Sequence, residues 1–210
     1  MEIDLYKYEN EYKSKGYKYI AGGDEAGRGP LAGPVVASAV ILPDDFVLEG
    51  LDDSKKLSEK KRNLYFDYIK EHALSYEITV IDVDTIDKIN IYESSRLAMN
   101  KSVDNLSIKP DFILTDAMPL KRDNCLDIIK GDQKSITIAA ASVLAKVTRD
   151  RLMEELDLIH PQYGFKKHKG YGTKLHLENI KKYGILVGVH RLTYKPVTIE
   201  YNKNNINKGE

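Results

Sequence analysis

The amino-acid sequence predicts an α/β fold with a mixed central sheet flanked by helices and a helical C-terminal extension. Near the N-terminus, two apolar runs of strand length are joined by a turn rich in glycine and proline, which predicts an antiparallel hairpin. A third strand extends this hairpin into a meander, after which helical and strand patterns alternate. At 210 residues and 42% hydrophobic, the chain is long enough for one substantial domain.

The N-terminal half supplies the antiparallel strands. Its predicted elements are strands over 17–26, 34–42 and 75–83, and a helix that begins near Ser58 as its N-cap. Gly22 and Gly23 are adjacent inside the first strand. Because interior glycines weaken a strand, we expect another backbone or a ligand to approach closely there.

The C-terminal half alternates helices with short strands. Its predicted elements are a helix capped by Asp84 or Thr85 and running to 106, strands over 111–117 and 125–132, a long helix over 137–159, and a last helix from Thr173 to Gly184. Small residues at the start of the long helix allow it to pack closely against the sheet. The remaining segment over 202–210 is polar and is predicted to be disordered.

Composition limits the classes of protein that fit. The single cysteine, Cys125, excludes an intramolecular disulfide framework and indicates a reducing compartment. No segment has the length and apolar character of a membrane span, so we expect a cytoplasmic protein. Lys and Arg total 32, as do Asp and Glu, but residues 142–196 hold eleven of the basic residues against five acidic ones. Nucleic-acid binding would therefore depend on uneven placement of charge.

The stretch GGDEAGRGP places Asp24 and Glu25 side by side at the end of an apolar strand. Asp116 and Asp132 close two later predicted strands, and side chains at strand ends converge on one crevice of an α/β sheet. Gathering these four carboxylates is tenable only with cations present. Oxygen ligands favour Mg²⁺ or Mn²⁺ over zinc, and two such ions suit in-line displacement at phosphorus.

Two features of this cluster stay open on spacing alone. Adjacent side chains of a regular strand point to opposite faces, so Asp24 is the predicted bridging ligand and Glu25 an outer one, with a distortion at Gly23 or the strand end. For Asp116 or Asp132 taken singly, spacing favours a turn or helix-capping carboxylate.

Several motifs resemble type 2 ribonuclease H, ribonuclease HII. The N-terminal signature of that family resembles GGDEAGRGPLAGPVVASAVIL, and further matches follow in order over Tyr19 to Lys195: DDSKKLS, LTDA, IIKGDQKS, AAASVLAKVTRDRLM and YGFKKHKGYGT. The resemblance departs at Ala117, where many bacterial members have glycine. The GRG version of the motif, with no extra N-terminal substrate-binding domain, favours type 2 over type 3.

The resemblance implies a ribonuclease H-like fold and an endonuclease that hydrolyses the RNA strand of RNA/DNA hybrids and incises DNA 5′ of an embedded ribonucleotide. The products implied carry 3′-hydroxyl and 5′-phosphate ends, with roles in ribonucleotide removal and RNA primer removal. The family's metal ligands fall on Asp24, Glu25, Asp116 and Asp132, its glycine-arginine-glycine element on Gly27, Arg28 and Gly29, and its junction-sensing tyrosine on Tyr171.

We expect a monomer with four segments: an N-terminal extension over 1–16, a catalytic domain over 17–158, a helical extension over 159–196 packed on that domain, and a disordered tail over 197–210. Asp150 is a rival fourth ligand, but it follows Lys146 by four residues, where a surface ion pair explains it.

Other residues are candidates for substrate contact. Glycine lets backbone groups reach a 2′-hydroxyl, and a tyrosine among lysines is typical of a stacking platform within phosphate-binding cations. The predicted contacts beyond the glycine element and Tyr171 are Lys55, Lys56, Lys169 and the stripe of Ser142, Lys146 and Arg149, with Leu144, Thr148 and Leu152 packing inward. The alternatives are a tight turn for GRGP, a buried core position for Tyr171 and a solvated helix entrance for the two lysines. His168, His176 and His190 either contact phosphate or lie on the surface.

Two other functions fit parts of the pattern. A DNA strand-transferring or junction-resolving nuclease would cleave all-DNA substrates, and the glycine element with Tyr171 argues against it. A hybrid-binding module whose acids hold a structural cation would bind without turnover.

Overall fold

The computed structural model describes residues 4–48, 50, 51 and 57–206. Its strands are β1 (Ile20–Ala26), β2 (Val35–Ile41), β3 (Ser75–Ile81), β4 (Phe112–Asp116) and β5 (Cys125–Ile128). Its helices are α1 (Lys7–Ser14), α2 (Glu59–His72), α3 (Val83–Ile89), α4 (Ile91–Asp104), α5 (Ile136–Ile159), α6 (Phe165–His168), α7 (Lys174–Tyr183) and α8 (Lys195–Ile206). Short 3₁₀ helices cover Gly131–Gln133 and Pro161–Tyr163.

The five strands form one mixed sheet in the order β3-β2-β1-β4-β5. β1 pairs antiparallel with β2, and parallel with β4, which pairs parallel with β5. The predicted meander and the predicted α/β class are therefore confirmed. Because β1 is central, its residues are screened from water on both edges of the strand.

A close approach between β1 and α5 explains the glycine at position 22. A Cβ atom there would lie 2.1 Å from the carbonyl carbon of Thr137, which only glycine avoids. At Gly23 a Cβ would instead meet the flexible side chain of Met99 at 3.2 Å. The sequence-based expectation of a close backbone contact is confirmed at Gly22.

The chain divides into two compact units that interleave along the sequence. The first comprises 1–26, 36–80 and 95–147, and the second comprises 27–35, 81–94 and 148–210. In the first unit, α2 and the start of α5 bury a core that includes Phe66, Ile69 and Leu144. In the second, α7 and α8 pack around Leu31, Ile180 and Val197. The predicted boundary at residue 158 remains a prediction.

Three local predictions are wrong in their boundaries. The predicted disordered tail is helical as far as it is described, because Val197 is fully buried and anchors α8. The single helix predicted from residue 84 is two helices, since Asn90 has a positive φ of 68° between α3 and α4. Its cap is Asp82, whose side chain accepts a hydrogen bond from Thr85 N–H. Ser58 caps α2 as predicted.

Candidate active site

Asp24 lies at the centre of the predicted carboxylate cluster. It is a buried residue of β1, and its Oδ1 accepts a hydrogen bond from Glu25 N–H at 2.7 Å. The register of β1 with β2 is uninterrupted from Ala21 to Ala26, so the predicted distortion of the strand at Gly23 is absent from this pairing. Glu25 is half-buried.

Three of the four predicted acids, Asp24, Glu25 and Asp116, lie close enough to interact electrostatically. The pKa of Asp24 is raised well above its ordinary value, first by burial and then by the negative charges of Glu25 and Asp116. The Ser142 side chain opposes this rise by hydrogen bonding to Asp24. A carboxylate held among like charges in the interior favours a cation beside it.

Asp132 lies in a turn whose first residue, Gly131, is hydrogen-bonded to Asp116. Asp132 is 2% exposed and lies in the 3₁₀ turn Gly131–Gln133, so it does not close β5 as the sequence predicted. Gly131 N–H donates to Asp116 Oδ1 at 2.8 Å, and a Cβ on Gly131 would lie 3.4 Å from Asp116 Cα. The turn bearing Asp132 therefore packs directly against the end of β4.

The residue after Asp116 has an unusual backbone. Ala117 has a φ of 50°, in the left-handed region that glycine adopts at less cost, and its N–H donates to Ile128 carbonyl oxygen at 3.1 Å. This conformation explains physically why glycine suits the position at which the sequence departs from its resemblance.

The oxygen donors of this cluster fit a hard divalent cation such as Mg²⁺ or Mn²⁺. Within the described ranges, no group of three or more His, Cys, Asp or Glu side chains is arranged so that it could hold a metal ion. The role of Asp24, Glu25, Asp116 and Asp132 as metal ligands therefore stays a prediction.

The glycine-arginine element belongs to the second compact unit. Gly27 has a φ of 102°, and a Cβ there would lie 2.1 Å from Arg149 Nε, so only glycine is accommodated. Arg28 and Gly29 are exposed, and the Arg28 guanidinium carbon lies 6.0 Å from the Tyr92 ring centroid. A Cβ on Gly29 would lie 3.5 Å from Tyr171 Cε1, so these two predicted contacts are neighbours.

Arg149 does not lie on the predicted nucleic-acid-facing stripe. It is 1% exposed, and its guanidinium donates hydrogen bonds to the carbonyl oxygens of Ala32, Pro34 and Lys169. Burial lowers its pKa to about 10, with the charge of Arg191 as the next cause. Helical spacing alone does not reveal these carbonyl partners, because they come from residues distant from Arg149 in the chain.

The remaining predicted substrate contacts differ in their burial and in their bonding partners. Ser142 bonds to Asp24, and the Lys169 ammonium is paired with Glu154 at 2.5 Å. Lys146 is half-buried, and Asp150 is 8% exposed, so Asp150 does not lie at the surface as predicted. Lys55 and Lys56 lie outside the described residues.

Arg191 was not predicted from the sequence, yet it is buried and binds the backbone of the loop over 27–34, called the glycine loop below. Arg191 is fully buried and donates to the carbonyl oxygens of Gly27, Arg28, Gly33 and Pro34. A guanidinium offers five donors in a rigid plane, which suits several carbonyl acceptors at once. No local pattern marks this residue, because its carbonyl partners lie more than 150 positions away.

A scan against known families matches residues 21–197 to the model described as Ribonuclease HII. The chain belongs to the ribonuclease HII family. Curated ribonuclease HII proteins include one from Bacillus pumilus, 56% identical over 92% of this chain and 76% of its own length. Another, from Acholeplasma laidlawii, is 53% identical over 94% of this chain and 97% of its own length. The resemblance seen in the sequence is confirmed.

Solved structures agree with the family and the fold. Ribonuclease H2 from Pyrococcus horikoshii is 26% identical, with a TM-score of 0.77 over 90% of this chain and 99% of that one. A ribonuclease HIII solved in complex with Mn²⁺ is 18% identical, with a TM-score of 0.68 over 88% of this chain and 70% of its own, and this likeness concerns the fold alone.

Membership of ribonuclease HII identifies the protein as a ribonuclease H endonuclease, a hydrolase that acts on RNA/DNA hybrids. None of the helices in the described part of the chain has the length and apolar character needed to cross a bilayer.

Proposed function

We propose that this ribonuclease HII hydrolyses the RNA strand of hybrids and incises duplex DNA on the 5′ side of an embedded ribonucleotide, with two bound divalent cations. The products carry 3′-hydroxyl and 5′-phosphate ends. The protein would act as a cytoplasmic monomer in ribonucleotide removal and RNA primer removal. The observation that carries the proposal is the buried Asp24, whose pKa is raised by burial and by the charges of Glu25 and Asp116.

We assign Asp24, Glu25, Asp116 and Asp132 as the residues that would hold Mg²⁺ or Mn²⁺. Two divalent ions bound there would activate the attacking water and stabilise the leaving oxygen. The Mn²⁺ complex of the structurally similar ribonuclease HIII supports a divalent cation in this fold. The protein's own part is to hold the carboxylates in place, through the Gly131–Asp116 hydrogen bond and the Ser142 bond to Asp24.

Recognition of the ribonucleotide is assigned to the exposed glycine loop and Tyr171. A 2′-hydroxyl both donates and accepts hydrogen bonds, and exposed Gly29 lacks the Cβ that would keep a sugar away. Arg149 and Arg191 fix the loop backbone from inside, so its exposed groups need little reorganisation when substrate binds. The Tyr171 ring, 47% exposed beside Gly29, is placed to stack on a sugar or base.

The test uses a duplex that contains one ribonucleotide, beside an all-DNA duplex, with the cut position mapped. We expect cleavage 5′ of the ribonucleotide with Mg²⁺ or Mn²⁺ and none of the all-DNA control. Asp24→Asn should lower the rate about a thousandfold or more while hybrid binding is retained. An intact one-ribonucleotide duplex would refute the proposal, and unchanged cleavage by D24N would remove Asp24 from the mechanism.

A further inference from the structure

Three histidines of the second compact unit are buried although the sequence suggested a surface or phosphate role. His168 is 7% exposed, and His176 and His190 are fully buried. The rings of His168 and His176 stack with centroids 4.3 Å apart and planes at 16°. Each nitrogen of these buried rings needs a hydrogen-bond partner, so every donor must face an acceptor.

The contacts of His190 and His176 assign their protons. Leu186 N–H donates to His190 Nδ1 at 3.0 Å, so a neutral His190 carries its proton on Nε2. The two Nε2 atoms of His190 and His176 are 3.3 Å apart, so His190 is the donor and His176 the acceptor. The remaining proton of His176 is then on Nδ1, which donates to the Tyr171 carbonyl oxygen at 2.9 Å.

Both ring nitrogens of His168 are also hydrogen-bonded to the backbone. Gly170 N–H donates to His168 Nδ1 at 3.2 Å, and His168 Nε2–H donates to the Tyr163 carbonyl oxygen at 2.9 Å. The backbone carbonyl of His168 accepts Tyr171 N–H at 2.9 Å. All three rings are thus satisfied as neutral imidazoles, in agreement with burial, which lowers the pKa of each.

A metal between His176 and His190 does not fit this arrangement. His190 Nδ1 already accepts Leu186 N–H, so a metal on its Nε2 would require an imidazole that has lost both protons. The pair is therefore a hydrogen-bond relay between Leu186 and Tyr171.

The relay ends on the backbone of Tyr171. Tyr171 N–H is bound by the His168 carbonyl, and its own carbonyl oxygen accepts from His176 Nδ1–H and from Thr173 N–H at 2.8 Å. The side chain of Tyr171, by contrast, is half exposed next to Gly29. Its backbone is fixed from within while its ring remains accessible.

We propose that His168, His176 and His190 are positioning residues for ribonucleotide recognition, because they fix the Tyr171 backbone so that its ring stays beside Gly29. This inference rests on the proposed function, in which Tyr171 contacts the sugar or base at the cut. The histidines touch no substrate themselves. They act through Tyr171, and their effect should vanish when the Tyr171 ring is removed.

The first experiment reads the proton positions in the wild-type protein by ¹⁵N NMR of the histidine side chains. We expect the proton on Nε2 of His190, Nδ1 of His176 and Nε2 of His168. A His176 proton on Nε2 would overturn the relay. This measurement needs neither substrate nor a variant, so it tests the inference even if the proposed activity fails.

The second experiment compares His176→Asn with His176→Gln on the one-ribonucleotide duplex. The Asn amide nitrogen stands near the position of Nδ1 and can still donate to the Tyr171 carbonyl, whereas the Gln amide stands near Nε2 and meets His190. We expect H176Q to lower kcat/KM by about five- to tenfold, the effect of losing one hydrogen bond, and H176N to lower it less. Equal losses in the two variants at equal thermal stability would contradict the proposal.

A double-mutant cycle with Tyr171→Ala separates positioning from general stability. If His176 acts through Tyr171, H176Q should cause no further loss of kcat/KM in the Y171A background. The same factor in both backgrounds, or an unchanged kcat/KM for Y171A alone, would refute the proposal. Failure of the wild-type enzyme to cut the one-ribonucleotide duplex would instead refute the proposed function.

Discussion

Gly131 N–H donates a hydrogen bond to Oδ1 of Asp116 at 2.8 Å, which joins the end of β4 to the turn that carries Asp132. The two bonded residues lie fifteen positions apart in the chain. One oxygen of Asp116 accepts this hydrogen bond, and the negative charge of the same carboxylate raises the pKa of Asp24.

Asp116→Asn should separate these two roles. The Asn side-chain oxygen can still accept Gly131 N–H, so we expect the melting temperature to change little. Loss of the charge should lower the cleavage rate about a thousandfold, as for one ligand of a two-metal site. Asp127→Asn is the matched control, since Asp127 is exposed on the neighbouring β5 and should keep its activity. Near-wild-type cleavage by D116N would exclude Asp116 as a ligand.

The sequence predicted the sheet well because its signals there are local. The apolar runs of strand length and the cap at Ser58 are local signals, and the structure confirms the sheet and the cap. The glycine at position 22 is the exception, because the backbone that approaches it belongs to Thr137 in α5. Asp24 and Asp116 lie on β1 and β4, as the sequence predicted, while their role as ligands stays a prediction.

The parts that failed depend on partners distant in the chain. Arg149 follows the helical spacing of Ser142 and Lys146, yet α5 passes from one compact unit into the other before it reaches Arg149. Arg191 and His190 are polar residues in a segment without periodicity, so their burial follows only from the tertiary fold. The sequence predicts Asp132 at a strand end, but β5 ends at Ile128, and Lys130, with a positive φ of 57°, leads into the 3₁₀ turn that carries Asp132.

Arg149→Met should affect stability rather than nucleic-acid binding. The substitution removes three buried hydrogen bonds to carbonyl oxygens, so we expect a loss of about 3 kcal/mol in the free energy of unfolding. The salt dependence of hybrid binding should be unchanged, because the buried Arg149 guanidinium is bonded to carbonyl oxygens and we expect it to contact no phosphate. Exposed Lys167 offers the contrast: K167M should leave the unfolding free energy nearly unchanged and reduce the salt dependence. A shallower salt dependence in R149M would restore the original prediction.

Stability should fall in mildly acidic solution because of the buried histidines. Burial lowers the pKa of His176 and His190 from 6.5 to about 4, and a further cause is the charge of His168 for His176 and the charge of His176 for His190. Unfolding raises these pKa values, so the unfolded chain binds more protons between pH 6.5 and pH 4. Their stabilising effect is complete above pH 6.5 and is lost as the pH falls toward 4, with a slope of up to about 1.4 kcal/mol per pH unit for each group.

Urea unfolding of metal-free protein at several pH values measures this slope. His190→Phe should flatten it by removing one titrating group, although carboxylates elsewhere contribute their own dependence. The groups that face the pair are His160 and His168, and Asp157 acts on His168. Exposed His72 is the control, and H72N should retain the wild-type slope. An H190F slope equal to that of the wild type would contradict the assignment.

Glu9 should be a major source of stability although it lies in the predicted N-terminal extension. It is 3% exposed on α1, and its Oε1 accepts hydrogen bonds from Ser135 Oγ, Thr137 Oγ1 and Thr137 N–H at 2.6, 2.8 and 3.1 Å. A carboxylate at the start of α5 also compensates the positive end of that helix. Glu9→Ala leaves these donors buried without an acceptor, so we expect a loss of about 3 kcal/mol or more in unfolding free energy. Glu9→Gln keeps one oxygen acceptor and should lose less. Glu11→Ala is the matched control on α1, because Glu11 is exposed and pairs with Lys15 at the surface. A loss in E9A no larger than in E11A would show that α1 does not anchor α5.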